Sequence, residues 1–273
     1  MAPSSIDAPY APLHVLGLGP GSPILLPPEA AAALAASSLI VGYSGYVSLL
    51  SQNVLAGKQI IATGMTGEIS RAEAAVEAAL RGEQTAVVCS GDPGIYAMSG
   101  LVLELLERRG VVASDLPLHV IPGVPALCAA AALLGAPLMH DFACVSLSDL
   151  LTPWQTIALR LRCAFAGDFV LVLHNPRSQR RTTQLEAALS IGLAHRDAST
   201  PVGVVRNAYR SGQRVDIVAL GDVSPDSVDM LTLLIIGNSS SRIVPGRGDR
   251  PLAWECGARM LTPRGYLEKY GKG

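Results

Sequence analysis

Short apolar runs and amphipathic segments alternate along the first half of the chain. The runs predict strands over residues 13–18, 39–41, 59–62, 85–89 and 118–121. Helices are predicted between them, over residues 29–36, from Ser70 to about Leu80, and from Met98 onward, where apolar residues recur at i, i+3, i+4, i+7 and i+8. Ser70 and Glu73 have the spacing of a capping box, which predicts a helix start. Such alternation is typical of a mostly parallel sheet with helices on both faces.

The second half of the chain contains more strand-like runs than helical ones. Strands are predicted over residues 169–174, 202–206, 215–219 and 231–236, and the main helix over residues 182–193. A mixed sheet is therefore expected. Gly135 and Pro137 suggest a boundary, so we predict two α/β domains, residues 1–135 and 136–273. The Gly-, Pro- and Arg-rich segment after about Pro245 is expected to lie on the surface.

The composition limits the possible partners. Of 273 residues, 49% are hydrophobic and 16% charged, which is typical of a globular protein with two cores. The net charge of -1 gives no global attraction to nucleic acid or anionic lipid, so an anionic partner requires a local basic cluster. Aromatic residues make up only 4%, which argues against a stacking platform for single-stranded nucleic acid.

No membrane span, secretion signal or metal site is predicted. The uncharged stretch from Val120 to Met139 is interrupted by Pro122, Pro125 and Pro137. The N-terminus lacks the basic and apolar regions of a signal peptide, so the cytoplasm is the expected location. The five cysteines form no CxxC pair and the five histidines no HExxH spacing, so neither a disulfide framework nor a protein-bound metal is expected.

Three Gly/Pro loops follow predicted strands, at residues 17–22, 90–94 and 121–126. Open α/β sheets bind ligands at the carboxyl ends of their strands, so these loops are candidate ligand contacts at one sheet edge. Gly91 permits close backbone approach, and Asp92 supplies an acceptor beside it. The alternative is that they are ordinary turns. The first loop does not fit a dinucleotide fingerprint, because Ser22 stands where the third glycine is needed.

Arginines follow two of the predicted strands in the second half. Arg177, Arg180 and Arg181 come after residues 169–174, and Arg206 and Arg210 lie at the end of the next strand. Guanidinium groups bind carboxylates and phosphates bidentately, so these side chains could form an anion clamp. The alternative is a solvated basic face.

These loops resemble those of the tetrapyrrole (corrin/porphyrin) methylase family. The resemblance covers about residues 13–266 and is carried by GLGPGSPILLPPEA at 17–30, SGDPGIYAMSGLVLEL at 90–105, IPGVPAL at 121–127 and LLIIGN at 233–238. Four further segments are most similar to the branch that methylates carbon 17 of a cobalamin precursor. They are VGYSGYVSLL at 41–50, TGMTGEISRAEAA at 63–75, GAPLMHDFACVSLSDLLTPW at 135–154 and HNPRSQRR at 174–181.

The resemblance implies a homodimer of two-domain subunits, with S-adenosylmethionine bound in a cleft between the domains. Carried over position by position, it implies donor contacts at Pro20, Gly91, Asp92, Ile95, Pro125, Ala126, Asn175, Ala208 and Gly237. It further implies methyl transfer to an anionic tetrapyrrole, with contraction of the ring. We expect Arg177, Arg181, Arg206 and Arg210 to bind the carboxylates of that substrate.

The group that moves the proton during ring contraction is not identified by the sequence. Ser148, Asp149 and His174 are candidates by loop position, and a tyrosine is usual in the family where His174 stands. Three alternative functions remain open. The chain could act on the cobalt-containing macrocycle, or be a nicotinamide-dependent oxidoreductase, or carry a tetrapyrrole without catalysis.

Overall fold

The computed structural model describes residues 10–112, 115–246 and 257–271. The chain folds into two compact units that divide between Ala126 and Leu127. The division falls after the first residue of a helix that begins at Ala126, within the residues 1–135 assigned to the first predicted domain. That helix packs in the second unit, where Cδ1 of Leu134 lies only 2.2 Å from the position that a Cβ atom on Gly203 would occupy.

The first unit contains a five-stranded sheet in which every strand is parallel to its neighbours. Its strands are β1 (Leu13–Gly17), β2 (Leu39–Tyr43), β3 (Gln59–Thr63), β4 (Thr85–Cys89) and β5 (Leu118–Ile121). Their order is β3-β2-β4-β1-β5. The predicted parallel sheet is confirmed, and the carboxyl ends of β1, β4 and β5 lie at one edge.

Helices cover both faces of this sheet. They are α1 (Pro28–Ala36), α2 (Ser44–Val47), α3 (Gln52–Leu55), α4 (Glu68–Leu80) and α5 (Ser99–Arg108). Successive strand residues point to opposite faces, so Val15 packs with the core formed by α4 and α5 while Leu16 packs with that formed by α1. This two-sided burial explains why the strands are almost continuously apolar.

The predicted capping box at Ser70 is wrong. The helix α4 begins at Glu68, so Ser70 lies inside its first turn, and its hydroxyl donates a hydrogen bond to the carbonyl oxygen of Gly67 at 3.0 Å. The loop residue Gly67 takes the N-cap position instead.

The second unit begins within α6 (Ala126–Leu134), at Leu127, and contains the predicted mixed sheet. Its five strands are β7 (Phe142–Ser146), β8 (Val170–His174), β9 (Pro201–Arg206), β10 (Arg214–Ala219) and β11 (Thr232–Ile236), after the two-residue β6 (Gly135–Ala136). The order is β10-β9-β11-β8-β7, with β7 parallel to β8 and β11 antiparallel to both β8 and β9. Two helices, α7 (Trp154–Ala166) and α8 (Gln184–Leu193), pack on this sheet through Leu161, Phe165 and Leu185.

Part of the C-terminal segment is built into a small sheet. Strands β12 (Arg242–Val244) and β13 (Arg259–Leu261) pair antiparallel, and β13 also pairs with β6. A short helix, α9 (Tyr266–Tyr270), follows, whereas residues 247–256 of the predicted surface segment lie outside the described part of the chain. Among the described helices, none has both the length and the apolar character needed to cross a bilayer.

Candidate functional site

Three glycines bring three loops of the first unit into backbone contact. They are Gly17 at the end of β1, Gly91 after β4 and Gly123 after β5. A Cβ atom on Gly17 would lie 2.3 Å from the carbonyl oxygen of Gly91, and one on Gly123 would lie 2.1 Å from the same oxygen. Neither position leaves room for a side chain. We call this contact the glycine crossing.

The loops after β1 and β4 are also joined by hydrogen bonds. The backbone N–H of Gly91 donates to the carbonyl oxygen of Gly19 at 2.7 Å, and the N–H of Gly19 donates to Gly91 at 3.2 Å. Both residues are left-handed, with φ of +68° and +69°. Glycine adopts this conformation without the steric cost that other residues incur.

The Asp92 carboxylate fixes the loops after β4 and β5 to each other. Oδ1 accepts a hydrogen bond from the backbone N–H of Gly94 at 2.8 Å, and Oδ2 accepts one from the N–H of Gly123 at 3.1 Å. The side chain was expected to be an acceptor for a ligand, and the structure gives it this bracing role between loops.

The residues predicted to contact the methyl donor in the first unit lie on these three loops. Pro20 and Gly91 are buried, Asp92, Pro125 and Ala126 are half-buried, and Ile95 is 36% exposed. A Cβ atom on Gly91 would lie 3.5 Å from both the nitrogen of Ala126 and the Cα of Pro125. The structure thus brings these six residues together at the carboxyl edge of one sheet.

In the second unit, Asn175 directly follows β8 and is left-handed, with φ of 50°. Its amide Nδ2 donates a hydrogen bond to Oγ of Ser146 at 3.0 Å, at the end of the neighbouring strand β7. The carbonyl oxygen of Asn175 accepts a hydrogen bond from Nη2 of Arg181 at 2.6 Å. Ser146 Oγ also accepts from the backbone N–H of Ser148 at 3.2 Å.

Ala208 lies at the same edge of the second sheet as Asn175, and Gly237 does not. Strands β8 and β9 run in the same direction because each is antiparallel to β11, which lies between them, so Asn175 and Ala208 follow carboxyl ends at the same edge of the sheet. Gly237 follows the end of β11 and donates its N–H to the carbonyl oxygen of Pro201, at the start of β9. The structure therefore separates Gly237 from the other two by the length of the strands.

The three candidate proton-transfer residues lie after β7 or at the end of β8. Asp149 Oδ2 accepts a hydrogen bond from Nε2 of Gln184 at 2.7 Å, which orients the carboxylate. Burial lowers the pKa of His174 to about 4, so its imidazole is neutral at pH 7 and holds a proton only weakly. Ser148 is half-buried, with its backbone N–H bound to Ser146.

The candidate clamp residues Arg177 and Arg206 are each paired with a carboxylate. Nη1 of Arg177 lies 2.7 Å from Oδ1 of Asp226, and Nε of Arg206 lies 2.8 Å from Oδ2 of Asp229. Arg210 is half-buried, whereas Arg181 is only 7% exposed. To bind a substrate carboxylate, Arg177 and Arg206 would therefore have to break these ion pairs or bind the substrate and the aspartate at the same time.

Sequence reasoning missed four residues that hold these side chains. Ser146 was missed because β7 was not predicted. Gln184, Asp226 and Asp229 are polar residues without a local motif, and only the fold brings them to their partners. Within residues 10–112, 115–246 and 257–271, no group of three or more His, Cys, Asp or Glu side chains could hold a metal ion.

The chain is similar in sequence to known proteins. Residues 12–224 match the Tetrapyrrole (Corrin/Porphyrin) Methylases. The chain is 44% identical to a probable cobalt-factor III C(17)-methyltransferase of Salmonella typhimurium, over 93% of this chain and 99% of the relative. It is 38% identical to a precorrin-3B C(17)-methyltransferase of Sinorhizobium sp., over 93% and 96%.

A solved structure has the same fold over nearly the whole chain. The crystal structure of the methyltransferase CobJ superimposes with a TM-score of 0.82 and 36% identity, covering 93% of this chain and all of that one. The family match includes the three Gly/Pro loops of the first unit and the Asn175 and Ala208 loops of the second. This chain is therefore a member of the tetrapyrrole (corrin/porphyrin) methylase family.

Proposed function

We propose that the protein is an S-adenosylmethionine-dependent methyltransferase of cobalamin biosynthesis. It methylates carbon 17 of precorrin-3B, with contraction of the ring to give precorrin-4. The observation that carries this proposal is the glycine crossing, which gathers the loops that the family resemblance assigns to the methyl donor. The methyltransferase relatives, similar over more than nine tenths of their length, support the reaction class.

The chemistry of these loops fits a sulfonium donor. They present backbone groups, the apolar side chains of Pro20, Ile95 and Pro125, and one carboxylate, Asp92. They contain no lysine or arginine over residues 17–27, 90–98 and 121–126. A cationic sulfonium nucleoside suits such a surface, whereas these loops supply no basic side chain for the phosphates of a nicotinamide dinucleotide.

The residues of the first unit act by positioning. Bound S-adenosylmethionine supplies an electrophilic methyl group. Asp92 holds Gly94 and Gly123, and Gly91 pairs with Gly19, so the loops that contact the donor are fixed relative to one another. Correct orientation of two reactants can lower a barrier by about 7–11 kcal/mol. Since a ring carbon of enamine character is already nucleophilic, we assign most of the acceleration to this orientation.

In the second unit we assign substrate binding to arginines. The tetrapyrrole carries acetate and propionate groups, and Arg177, Arg206 and Arg210 lie after or at the ends of β8 and β9. Asp226 and Asp229 hold two of these guanidinium groups until a substrate carboxylate replaces them. Donor contacts by Asn175, Ala208 and Gly237, and proton transfer by Ser148, Asp149 or His174, stay predictions. So do the homodimer and the cytoplasmic location.

The cobalt-containing macrocycle is a second candidate substrate. The Salmonella typhimurium relative named for cobalt-factor III is 44% identical, and the Sinorhizobium sp. relative named for precorrin-3B is 38% identical. This difference in identity favours the cobalt form. With cobalt-factor III the metal would enter as part of the substrate, whereas precorrin-3B carries none.

The test is incubation of the purified protein with isotopically labelled S-adenosylmethionine and either precorrin-3B or cobalt-factor III, followed by mass spectrometry. We expect one labelled methyl group on one of the two macrocycles. Binding of the macrocycle without label transfer would instead indicate a carrier. A rise in melting temperature with a nicotinamide nucleotide, and none with S-adenosylhomocysteine, would indicate an oxidoreductase.

A further inference from the structure

We propose that Arg181 is a positioning residue that holds Asn175 in its left-handed conformation, and so shapes the loop that contacts the methyl donor. The inference rests on the proposed function, because the family resemblance assigns Asn175 to the donor. It changes the role that the sequence gave to Arg181, from binding substrate carboxylates to supporting the donor loop.

The guanidinium of Arg181 is directed inward. The side chain is 7% exposed, and Nη2 donates one hydrogen bond to the carbonyl oxygen of Asn175 at 2.6 Å and a weaker one to Sδ of Met230 at 3.6 Å. Nε is buried without a hydrogen-bond partner in the described part of the chain. A side chain so enclosed is poorly placed to bind an external carboxylate.

The backbone conformation of Asn175 is stabilised by hydrogen bonds from two directions. Asn175 has φ of 50°, a left-handed conformation that few non-glycine residues adopt and that its surroundings must maintain. Ser146 accepts a hydrogen bond from the side chain of Asn175, and Arg181 donates one to its carbonyl group. Asn175 is therefore fixed on both sides, by β7 and by the segment before α8.

A second buried arginine pairs with the side chain of a left-handed residue near the other end of β8. Asp168, two residues before β8, is also left-handed, with φ of 59°. Nη2 of Arg196 lies 3.0 Å from Oδ1 of Asp168, and Nη1 donates to the carbonyl oxygen of Phe165 at 2.8 Å. The Arg196 side chain is 6% exposed, and its Nε is likewise buried without a described partner. Arg196 is thus a matched control at the edge where no donor contact except Gly237 is predicted.

The experiment compares Arg181→Lys with Arg196→Lys. Binding of S-adenosylhomocysteine is measured by calorimetry, and stability by urea unfolding. Lysine keeps the charge but cannot reproduce the planar fork of donors. Both variants should unfold at lower urea concentration than the wild type. Arg181→Lys should in addition raise the Kd of S-adenosylhomocysteine about tenfold, whereas Arg196→Lys should change it less than twofold.

The outcomes distinguish failure of the proposed function from failure of the positioning role of Arg181. If the wild type does not bind S-adenosylhomocysteine, the proposed function fails. If it binds and Arg181→Lys binds equally well, or if Arg196→Lys weakens binding as much, the positioning role is refuted. Should Arg181→Lys fail to fold, Ser146→Ala removes the other support of Asn175. It should raise the Kd in the same direction, and an unchanged Kd overturns the proposal.

Discussion

A Cβ atom on Gly123 would lie 2.1 Å from the carbonyl oxygen of Gly91. The obstacle is backbone, which cannot rotate away as a flexible side chain could. These two loops, which follow different strands of one parallel sheet, are therefore compatible with each other only while position 123 has no side chain.

Gly123→Ala should destabilise the protein by about 3 kcal/mol or more, because the new methyl group overlaps a fixed carbonyl group. Urea unfolding measures the change. Gly100→Ala is the matched control. Gly100 lies in α5 with no atom within 4 Å of its Cβ position, so this variant should be about 0.5–1 kcal/mol more stable than the wild type. Equal stability of the two variants would contradict the steric argument.

Gly91→Ala should fold but bind the methyl donor poorly. The new methyl group would project toward Pro125 and Ala126 at ordinary contact distance, so it narrows the space next to two predicted donor contacts. Its backbone strain, about 1–2 kcal/mol, should be shared by Gly110→Ala, since Gly110 has φ of +65°. Open space surrounds Gly110, so calorimetry with S-adenosylhomocysteine should show a raised Kd for Gly91→Ala alone. A normal Kd there would remove Gly91 from the donor site.

His174→Tyr should make the protein less sensitive to acid. The pKa of His174 is lowered by burial from 6.5 to about 4, so the unfolded chain binds a proton that the folded chain does not. The free energy of unfolding therefore decreases as the pH falls below 6.5 toward 4, by about 2 kcal/mol between pH 7.5 and pH 5. Tyrosine stays neutral over that range.

Urea unfolding at the two pH values tests the prediction for His174. The difference in unfolding free energy between pH 7.5 and pH 5 should be smaller for His174→Tyr than for the wild type. His140→Asn, which removes a more exposed imidazole, controls for the loss of a histidine as such. An unchanged difference in His174→Tyr would show that this side chain does not carry the acid sensitivity.

Arg177→Ala should raise the Kd of the tetrapyrrole several-fold and leave the Kd of S-adenosylhomocysteine unchanged. Asp226→Ala should have the opposite effect on the tetrapyrrole. Its carboxylate occupies Nη1 of Arg177 at 2.7 Å, so its removal releases the guanidinium for a substrate carboxylate. Fluorescence titration with the macrocycle measures both changes. If the two variants bind it as the wild type does, Arg177 is not part of a clamp.

The sequence predicted the first sheet within one or two residues at most strand ends. Strands such as β4, Thr85–Cys89, are buried on both faces, so their apolar runs are continuous and easily recognised. Strand β7 was not predicted, because it is an edge strand whose first residue, Phe142, is 42% exposed. The bounds of the two predicted domains stay a prediction. The helix α6 is apolar on more than one side and its packing partner, Gly203, is distant in sequence, so the sequence alone does not assign α6 to a unit.

Only part of the candidate site could be predicted, because contacts between residues distant in sequence leave no local pattern. Loops after parallel strands must meet at one edge, so the six first-unit residues could be grouped from sequence alone. The carboxylate partners of the arginines could not be predicted in this way. Asp226 is 49 residues from Arg177, and Asp229 is 23 residues from Arg206, with no pattern to link them. Gly237 was assigned by resemblance, but β11 runs opposite to β8 and β9 and carries it to the other edge.

The glycine crossing consists of backbone alone, and this limits how the protein could be redesigned. A variant intended to accept sulfonium reagents with larger alkyl groups cannot gain space there, because no side chain is present to shorten. Ile95, which is 36% exposed on the same set of loops, is a side chain that could be trimmed. Selection for altered alkyl transfer should therefore begin with a library at position 95 and keep the three glycines fixed.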